Sequence, residues 1–435
     1  MARIATASVF GPYVVGSIRT EQLFVLSMLI AIVTVGWPVT IRHSFHPFPV
    51  VLTWVGLCVV VMLGTIWRPP DLGSYGQQPA SHGFAVFVMP LAFLMVTWFW
   101  TLTADTVDLI RDIARIIVAV MAANSMIAMV QLTTGNPGFS SLLPHFWSGA
   151  ASAAVAQVAG AQNGRFTGIF NQPADAGVAY GLAVFCLIYL VRQAVQPRWK
   201  LASVTAALLV TGGALSLSKV FILGAVPIAV VLVARRQRAR SRAIAGTAFA
   251  GATLWCLAAV GALPSWPAAT ATVKGIVSGS SLTTSVSGGR YGTGGTLGPV
   301  VSDVLRSAPW TGFGAGGLNV PYDSLWVQVL AVAGLLGVLL MLAVMALLMV
   351  RWLRQRGVLG PAQRSLAGAS LALLAGASLG LPSLTSDPAA ALGWLIIGVL
   401  ITAQPVRRHA AGPAHTAVPP IWVPPQGPRP LYPVS

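Results

Sequence analysis

Charged residues are scarce in this chain. Of its 435 residues only 8% are Asp, Glu, Lys or Arg, whereas 56% are hydrophobic. Soluble globular proteins carry roughly 25% charged residues, so this deficit excludes a soluble domain and a soluble enzyme. The apolar residues form blocks of about 17 to 25 residues almost free of charge, the length that a helix needs to cross a hydrocarbon core of roughly 30 Å. The sequence therefore predicts an integral membrane protein.

Cysteines and metal-binding clusters are scarce as well. The three cysteines, Cys58, Cys186 and Cys256, lie far apart within apolar blocks, so neither a disulfide framework nor a metal knuckle is indicated. No grouping of His or acidic residues resembles a metal site. The Gly-rich stretch at 288–299 lacks the Gly-Lys-Ser/Thr of a nucleotide-binding loop. We therefore predict no metal and no cofactor.

The apolar blocks predict an all-α fold, a polytopic transmembrane helical bundle of about eleven spans, with ten to twelve as the range. An N-terminal segment, 1–20, precedes the transmembrane domain, 21–403, and a Pro-rich tail, 404–435, follows it and is predicted to be disordered and cytoplasmic. The spans are predicted at 21–39, 49–67, 83–102, 113–132, 172–191, 201–216, 219–234, 243–263, 323–350, 365–382 and 387–403.

Basic residues mark every second connecting segment. The formal net charge of +17 would indicate a nucleic-acid partner in a soluble protein, but in a membrane protein basic residues first of all set the orientation. They follow the fifth, seventh and ninth spans and recur in the tail, which makes these segments cytoplasmic and removes the case for nucleic acid. By alternation, 133–171, the turn at 215–219 and the large loop at 264–322 face outward.

Charges at the outer face are the default functional candidates, because a charge near hydrocarbon is expensive. Three outward segments stand out. They are GRFTGIFNQPADAGVAYG at 164–181, LSLSK at 215–219, and the stretch that runs from GGRYG at 288 through APWTGFGAGG at 308–317 to PYDSLW at 321–326.

Together these segments resemble the O-antigen ligase and O-antigen polymerase family of polysaccharide-assembling membrane proteins. That family has an Arg and a Gly before an Asn-Pro-like turn, Ser-Lys or Ser-Arg opening a later span, and a large extracytoplasmic loop with an Arg and a P-x-x-G-x-G element. The resemblance covers roughly residues 110–350, and the order of the motifs carries it. The matching positions are Arg165, Gly168, Asn171, Pro173, Ser218, Lys219, Arg290, Pro309, Gly312, Gly314, Gly316, Gly317, Asp323, Gly334 and Gly337.

The resemblance implies a metal-independent membrane glycosyltransferase at the outer face of a bacterial cytoplasmic (inner) membrane. Its donor would be a polyprenyl-diphosphate-linked glycan, its acceptor a glycan or a lipid, and membrane lipids would surround it. Arg165, Lys219 and Arg290 suit a diphosphate, because arginine grips phosphate oxygens with a planar fork and lysine supplies a point charge. Arg290 would also stabilise the charge that builds up on the departing lipid diphosphate.

A general base would help the acceptor hydroxyl to attack the anomeric carbon. Asp323, directly after the large loop, is the first candidate, and His145 and Asp175 are the alternatives. The ligase branch carries His followed by Asn in this neighbourhood, whereas this chain reads Tyr322, Asp323, Ser324. The sequence therefore leaves ligase and polymerase open.

Each assignment has a purely structural alternative. Arg165 and Lys219 could anchor helix ends by snorkelling, and Asp323 could pair with Arg306 or Lys274 and hold the loop. A different class of function, a transporter or flippase of a lipid-linked or anionic solute, would need polar residues through the depth of several spans. The predicted spans carry charges mainly at their ends, which favours chemistry at the surface.

Overall fold

A computed structural model of the protein describes residues 2–15, 18–36, 48–67, 80–134, 158, 160, 164–196, 198–234, 297–318, 322–385 and 388–403. This part is all-helical except for one short antiparallel strand pair, Tyr13–Val15 with Ile18–Arg19. The predicted span at 243–263, most of the 264–322 loop and the tail lie outside the described residues. The candidate residues His145 and Arg290 lie outside them too.

The helices follow the predicted apolar blocks. Short π-helical stretches, Ile32–Gly36 and Val220–Ala225, continue α2 and precede α8, and a 3-10 turn, Gln355–Gly357, ends α10. The α-helices are α1 (Ala2–Phe10), α2 (Thr20–Ala31), α3 (Phe48–Ile66), α4 (Ala80–Thr103), α5 (Thr106–Thr134), α6 (Pro173–Gln193), α7 (Trp199–Leu215), α8 (Val226–Ala234), α9 (Leu297–Ser307), α10 (Leu325–Arg354), α11 (Pro361–Ala377) and α12 (Ala389–Thr402).

Five of the described helices are long and apolar enough to cross a membrane: α3, α4 from Val86, α5, α6 and α10. Shorter apolar helices, among them α7 and α12, pack beside them. The protein is thus a helical membrane protein, and the number of about eleven spans stays a prediction. Helix α5 begins at Thr106, well before the predicted span, because its first turns are amphipathic and carry the ion pairs Asp108–Arg111 and Asp112–Arg115.

The N-terminal segment packs against the bundle. Helix α1 packs against α2, α5 and α12. Between α1 and α2, the Arg19 guanidinium donates to the carbonyl of Ser8, and Arg19 Nε lies 2.5 Å from Glu21 Oε1. Both side chains are buried, so the pair neutralises two charges that could not stand alone in an apolar core. Glu21, the only glutamate of the chain, therefore ties α1 to the bundle.

The two ends of the bundle differ in charge. At one end, which we call the basic end, the chain carries Arg192, Arg351 and Arg354. Arg351 Nε donates to the carbonyl of Ile401 at 2.9 Å, and the Arg192 guanidinium donates to the carbonyl of Leu232. These contacts join α6 to α8 and α10 to α12 at the ends that the sequence predicts to face the cytoplasm.

The opposite end, which we call the loop end, is formed by residues 164–171, 215–219 and 309–318 together with the start of α10. Trp67 and Trp310 are exposed there, whereas Trp199 is exposed at the basic end. Tryptophan gathers at both membrane–water interfaces because its ring is amphipathic. The exposed rings are therefore consistent with a membrane between the two ends.

Helix α10 is broken at Gly334, which has φ 61° and ψ −161°. A break frees backbone groups that hydrocarbon cannot satisfy, and the segment before α10 satisfies them. Phe313 N–H donates to the carbonyl of Ala331 at 2.8 Å, and Leu335 N–H donates to the carbonyl of Pro309 at 2.8 Å. The 309–314 segment therefore pairs with the break like a short strand.

The break turns the first part of α10 across the loop end. Contacts with α11 show this: Leu325 N–H donates to the carbonyl of Ser378, and Trp352 Nε1 donates to the carbonyl of Arg364. Between these contacts α11 advances roughly 21 Å, whereas a straight α10 would advance roughly 40 Å at about 1.5 Å per residue. A straight α10 could not make both contacts, so residues 325–333 must run in another direction.

We expect Gly334→Ala to destabilise the protein. The backbone of Gly334 occupies a region of φ and ψ that is essentially restricted to glycine, and an added Cβ would overlap the backbone of Trp310. The expected loss is about 2 kcal/mol or more. Gly376→Ala in α11 is the matched control, because nothing surrounds its Cβ position and alanine favours a helix by about 1 kcal/mol. Thermal unfolding in detergent measures both, and equal midpoints would contradict a strained break.

Candidate functional site

The loop at 164–171, which carries Arg165, is fixed to α5 by two amides. Gln131 holds Gly168 from both sides: Gly168 N–H donates to Gln131 Oε1 at 2.9 Å, and Gln131 Nε2 donates to the carbonyl of Gly168 at 2.8 Å. Asn124, seven residues earlier on the same face of α5, is buried beside the loop. The loop is therefore bonded to a membrane-spanning helix at both amides.

Asn124 uses its whole amide. Its Nδ2 donates to the carbonyl of Thr167 at 3.1 Å and to the hydroxyl oxygen of Tyr180 at 2.9 Å, and its Oδ1 accepts the N–H of Ile169 at 3.0 Å. Gly168 has φ 69°, and a Cβ there would overlap the Asn124 amide. Glycine is thus required at 168 both for the turn and for the close approach of Asn124.

The same loop is joined to the turn that precedes Lys219. Phe166 N–H donates to the carbonyl of Leu215 at 2.9 Å, and the side chains of Phe166, Leu215 and Leu217 form a small buried cluster. Leu217 has φ 46°, an unusual conformation for a leucine that reverses the chain within two residues. The structure therefore brings the segments of Arg165 and Lys219 together, and both side chains are half-buried.

Ser218 and the π-helical stretch position Lys219. Ser218 is buried against Gly177 of α6, where a larger residue would overlap its hydroxyl. Directly after Lys219 the chain enters the π-helical stretch Val220–Ala225, a form that is rare and frequent at functional sites. Asp175 is buried in the first turn of α6, two residues before Gly177. Asp175 therefore lies in the same layer as Ser218.

Asp323 precedes the first turn of α10 and is half-buried. Tyr322 O–H donates to the carbonyl of Leu318 at 2.9 Å, and Ser324 Oγ donates to the carbonyl of Ser378 at 3.3 Å. These bonds fix the backbone on both sides of Asp323. Because the break at Gly334 turns residues 325–333 across the bundle, Asp323 is held next to the end of α11.

The contacts of helix α11 allow the positions of Asp323 and Lys219 along the bundle to be compared. Its Leu373 contacts Gly181 of α6 and Gly224 of the π-helical stretch. Ser378 lies roughly 8 Å further along α11, and Gly177 lies roughly 6 Å from Gly181 along α6 in the same direction. Asp323 and Lys219 therefore lie at a similar height at the loop end, with α11 between their supporting contacts.

The Gly-rich element at 309–317 has a structural role in the described contacts. Its backbone pairs with α10, and Ala315 N–H donates to Thr65 Oγ1 of α3 at 2.8 Å. Gly64 leaves room for the carbonyl of Thr311, where a side chain would overlap it. Within the described residues no group of three or more His, Cys, Asp or Glu side chains could hold a metal ion.

Sequence reasoning did not single out Asn124 and Gln131. The sequence did contain a sign of their importance, because two amide side chains lie seven residues apart inside the apolar run of α5. Polar residues within a span usually have a structural or functional role. The described structure defines a polytopic helical membrane protein that has a rigid polar turn at one end. No family model and no curated protein matches the sequence.

We expect Asn124→Ala to lower the free energy of unfolding by about 1 to 3 kcal/mol, because three buried polar groups lose their partner. Thr133→Ala, in the last turn of the same helix, is the matched control, since the Thr133 hydroxyl is exposed and bonds only to its own helix. Thermal unfolding in detergent compares the two variants. A stable Asn124→Ala protein would show that the loop does not depend on this amide.

Proposed function

We propose that the protein transfers a polyprenyl-diphosphate-linked glycan to an acceptor at the outer face of a bacterial cytoplasmic membrane. The observation that carries the proposal is the joined turn at the loop end, which holds Arg165 and Lys219 on one rigid support. The end with most arginines faces the opposite way, as expected for the cytoplasmic side. Two cations carried on joined segments at the other end would suit a diphosphate that hangs from a membrane lipid.

The chemistry of the donor explains why fixed cations suffice. In the transfer, the acceptor oxygen forms a bond to the anomeric carbon, the bond from that carbon to the diphosphate oxygen breaks, and configuration inverts. Negative charge then grows on the lipid diphosphate, and preorganised cations stabilise it without rearranging. Arg165 would grip the phosphate oxygens through its fork, Lys219 would add a point charge, and Arg290 would complete the set.

Asp323 is the proposed general base. It would accept the proton of the acceptor hydroxyl as the new glycosidic bond forms. Two features support this assignment: the residues on both sides of Asp323 are hydrogen-bonded, and Asp323 lies at a similar height to Lys219 at the loop end. Asp175 is the alternative within the described residues, but its side chain is buried in the first turn of α6, where an acceptor sugar has poor access; His145 is the other alternative.

A transporter or flippase remains the second candidate, and one observation argues against it. The two amides inside α5 bond to the largely buried 164–171 loop and to Tyr180, so their hydrogen bonds hold this loop rather than line a path through the bundle. Transport of a charged solute needs polar groups through the membrane depth. Glycan transfer at the interface needs them only at one end.

The proposal predicts that Arg165→Ala and Lys219→Ala each lower turnover by about 100-fold or more, the size expected when a charge-stabilising group is lost. Arg165→Lys should restore little activity, because the fork is lost. The matched controls are Arg198→Ala and Lys200→Ala, which change exposed residues at the basic end and should leave turnover unchanged. The assay follows release of polyprenyl diphosphate from purified lipid-linked oligosaccharide.

Full turnover of Arg165→Ala and Lys219→Ala, in proteins that unfold at the normal temperature, would remove both residues from the site. Equal losses in all four alanine variants would instead indicate a general effect of surface charge. Either result would contradict a diphosphate site at the loop end.

For Asp323→Asn we expect a loss of turnover by about 100-fold or more with unchanged donor binding, because the amide keeps the shape of the carboxylate but cannot accept a proton. Turnover and donor affinity are measured on the same purified variant. Near-normal turnover would eliminate Asp323 as the base and move the search to His145 and Asp175. Lost donor binding would indicate that Asp323 holds the loop.

A further inference from the structure

Helix α9 has two distinct faces. Its buried side chains Leu297, Val300 and Val304 pack against α10 together with Phe313 of the following segment. Its remaining surface mixes apolar and polar residues. The helix lies within 264–322, which the sequence predicts to be a large extracytoplasmic loop. Because the protein itself covers this apolar face, contact with a membrane would have to come from the side chains that α9 leaves exposed.

The exposed residues of α9 divide into two sectors. At about 100° per residue, Leu305 borders the buried face on one side, and Ser307, two residues later, borders it on the other. Leu305 is 43% exposed, and Trp310, directly after the helix, is 61% exposed. Arg306 points away from the buried face. Two large apolar side chains, five positions apart, thus remain exposed.

Helix α10 shows where the hydrocarbon begins. From the start of α10 to Leu335 every side chain is buried or half-buried, whereas Leu336 and Leu339 are exposed and exposed apolar residues continue to Leu353. A lipid-facing surface therefore starts just after Gly334. Leu336 N–H donates to the carbonyl of Trp310, and α9 packs on α10 with Leu335 and Val338 nearby. Helix α9 and Trp310 lie at the level of that boundary.

We propose that α9 lies in the membrane interface as a lipid-binding helix, with Leu305 and Trp310 inserted among the upper acyl chains. Continuity with the lipid-facing surface of α10 identifies the occupant as lipid rather than a protein partner. Indole rings favour this layer, and Arg306 can reach lipid phosphates from the water side. This part of the predicted extracytoplasmic loop is then a membrane anchor that holds the 309–318 segment at the interface.

Site-specific labelling tests the proposal directly. Cys58, Cys186 and Cys256 are replaced by alanine, and a nitrobenzoxadiazole label is attached to Leu305→Cys or to the matched control Ser307→Cys. Both proteins are placed in nanodiscs of phosphatidylcholine and phosphatidylglycerol. Lipids that are spin-labelled near the carbonyl end of the acyl chain should quench the Leu305→Cys label about twofold or more beyond the control, as expected for a side chain buried in the headgroup boundary.

Aqueous iodide gives the opposite comparison, since it should quench the Ser307→Cys label more strongly. A Trp310→Cys label serves as the second probe and should behave like the Leu305→Cys label, which keeps the proposal testable if one variant does not fold. Equal lipid quenching at 305 and 307 would overturn it. Strong iodide quenching at 305 and 310 would overturn it as well, because it would leave α9 in water.

Discussion

The structure depends on one constraint, that a backbone group which leaves a helix near hydrocarbon must find another partner within the protein. Helix α10 can break at Gly334 because the 309–314 segment supplies hydrogen-bond donors and acceptors for the backbone groups that the break leaves without helical partners. The 164–171 loop can lie against a spanning helix because Asn124 and Gln131 pair with its peptide groups. Irregular backbone at the loop end is therefore supported by specific partners, and its shape is fixed.

That constraint also determines where the charged side chains at the loop end lie. Hydrogen bonds join the segments that carry Arg165 and Lys219, and the contacts of residues 324–325 with Ser378 place Asp323 at a similar height beside α11. Preorganised charge stabilises a developing anion better than mobile charge, because nothing has to be rearranged during the reaction. The proposed transfer of a glycan from a lipid diphosphate would use this arrangement, and α9, if it lies in the interface as proposed, would hold the 309–318 segment at a fixed depth.

Much of the fold could be predicted from apolar blocks, since helix length and charge are local properties. Helix α10 was expected at 323–350 and spans Leu325–Arg354. The break was not predicted, because Gly334 and Gly337 look alike in sequence and the partner that permits φ 61° lies about 20 residues earlier in the chain. The packing of α1 against the bundle and the hydrogen bonds of Asn124 could not be predicted for the same reason: each depends on contacts between distant segments. Arg165 and Lys219 could be singled out as candidates because their motifs carry charge at span ends.

Deletion of the gene, followed by analysis of envelope glycans and of lipid-linked intermediates, shows whether the protein transfers a glycan. If it does, the polymerised or ligated glycan disappears and its polyprenyl-diphosphate-linked precursor accumulates on the outer leaflet, where an added enzyme can reach it in intact cells. The intact gene should reverse both effects. Unchanged glycans would contradict the account, and accumulation confined to the inner leaflet would contradict it in favour of a flippase.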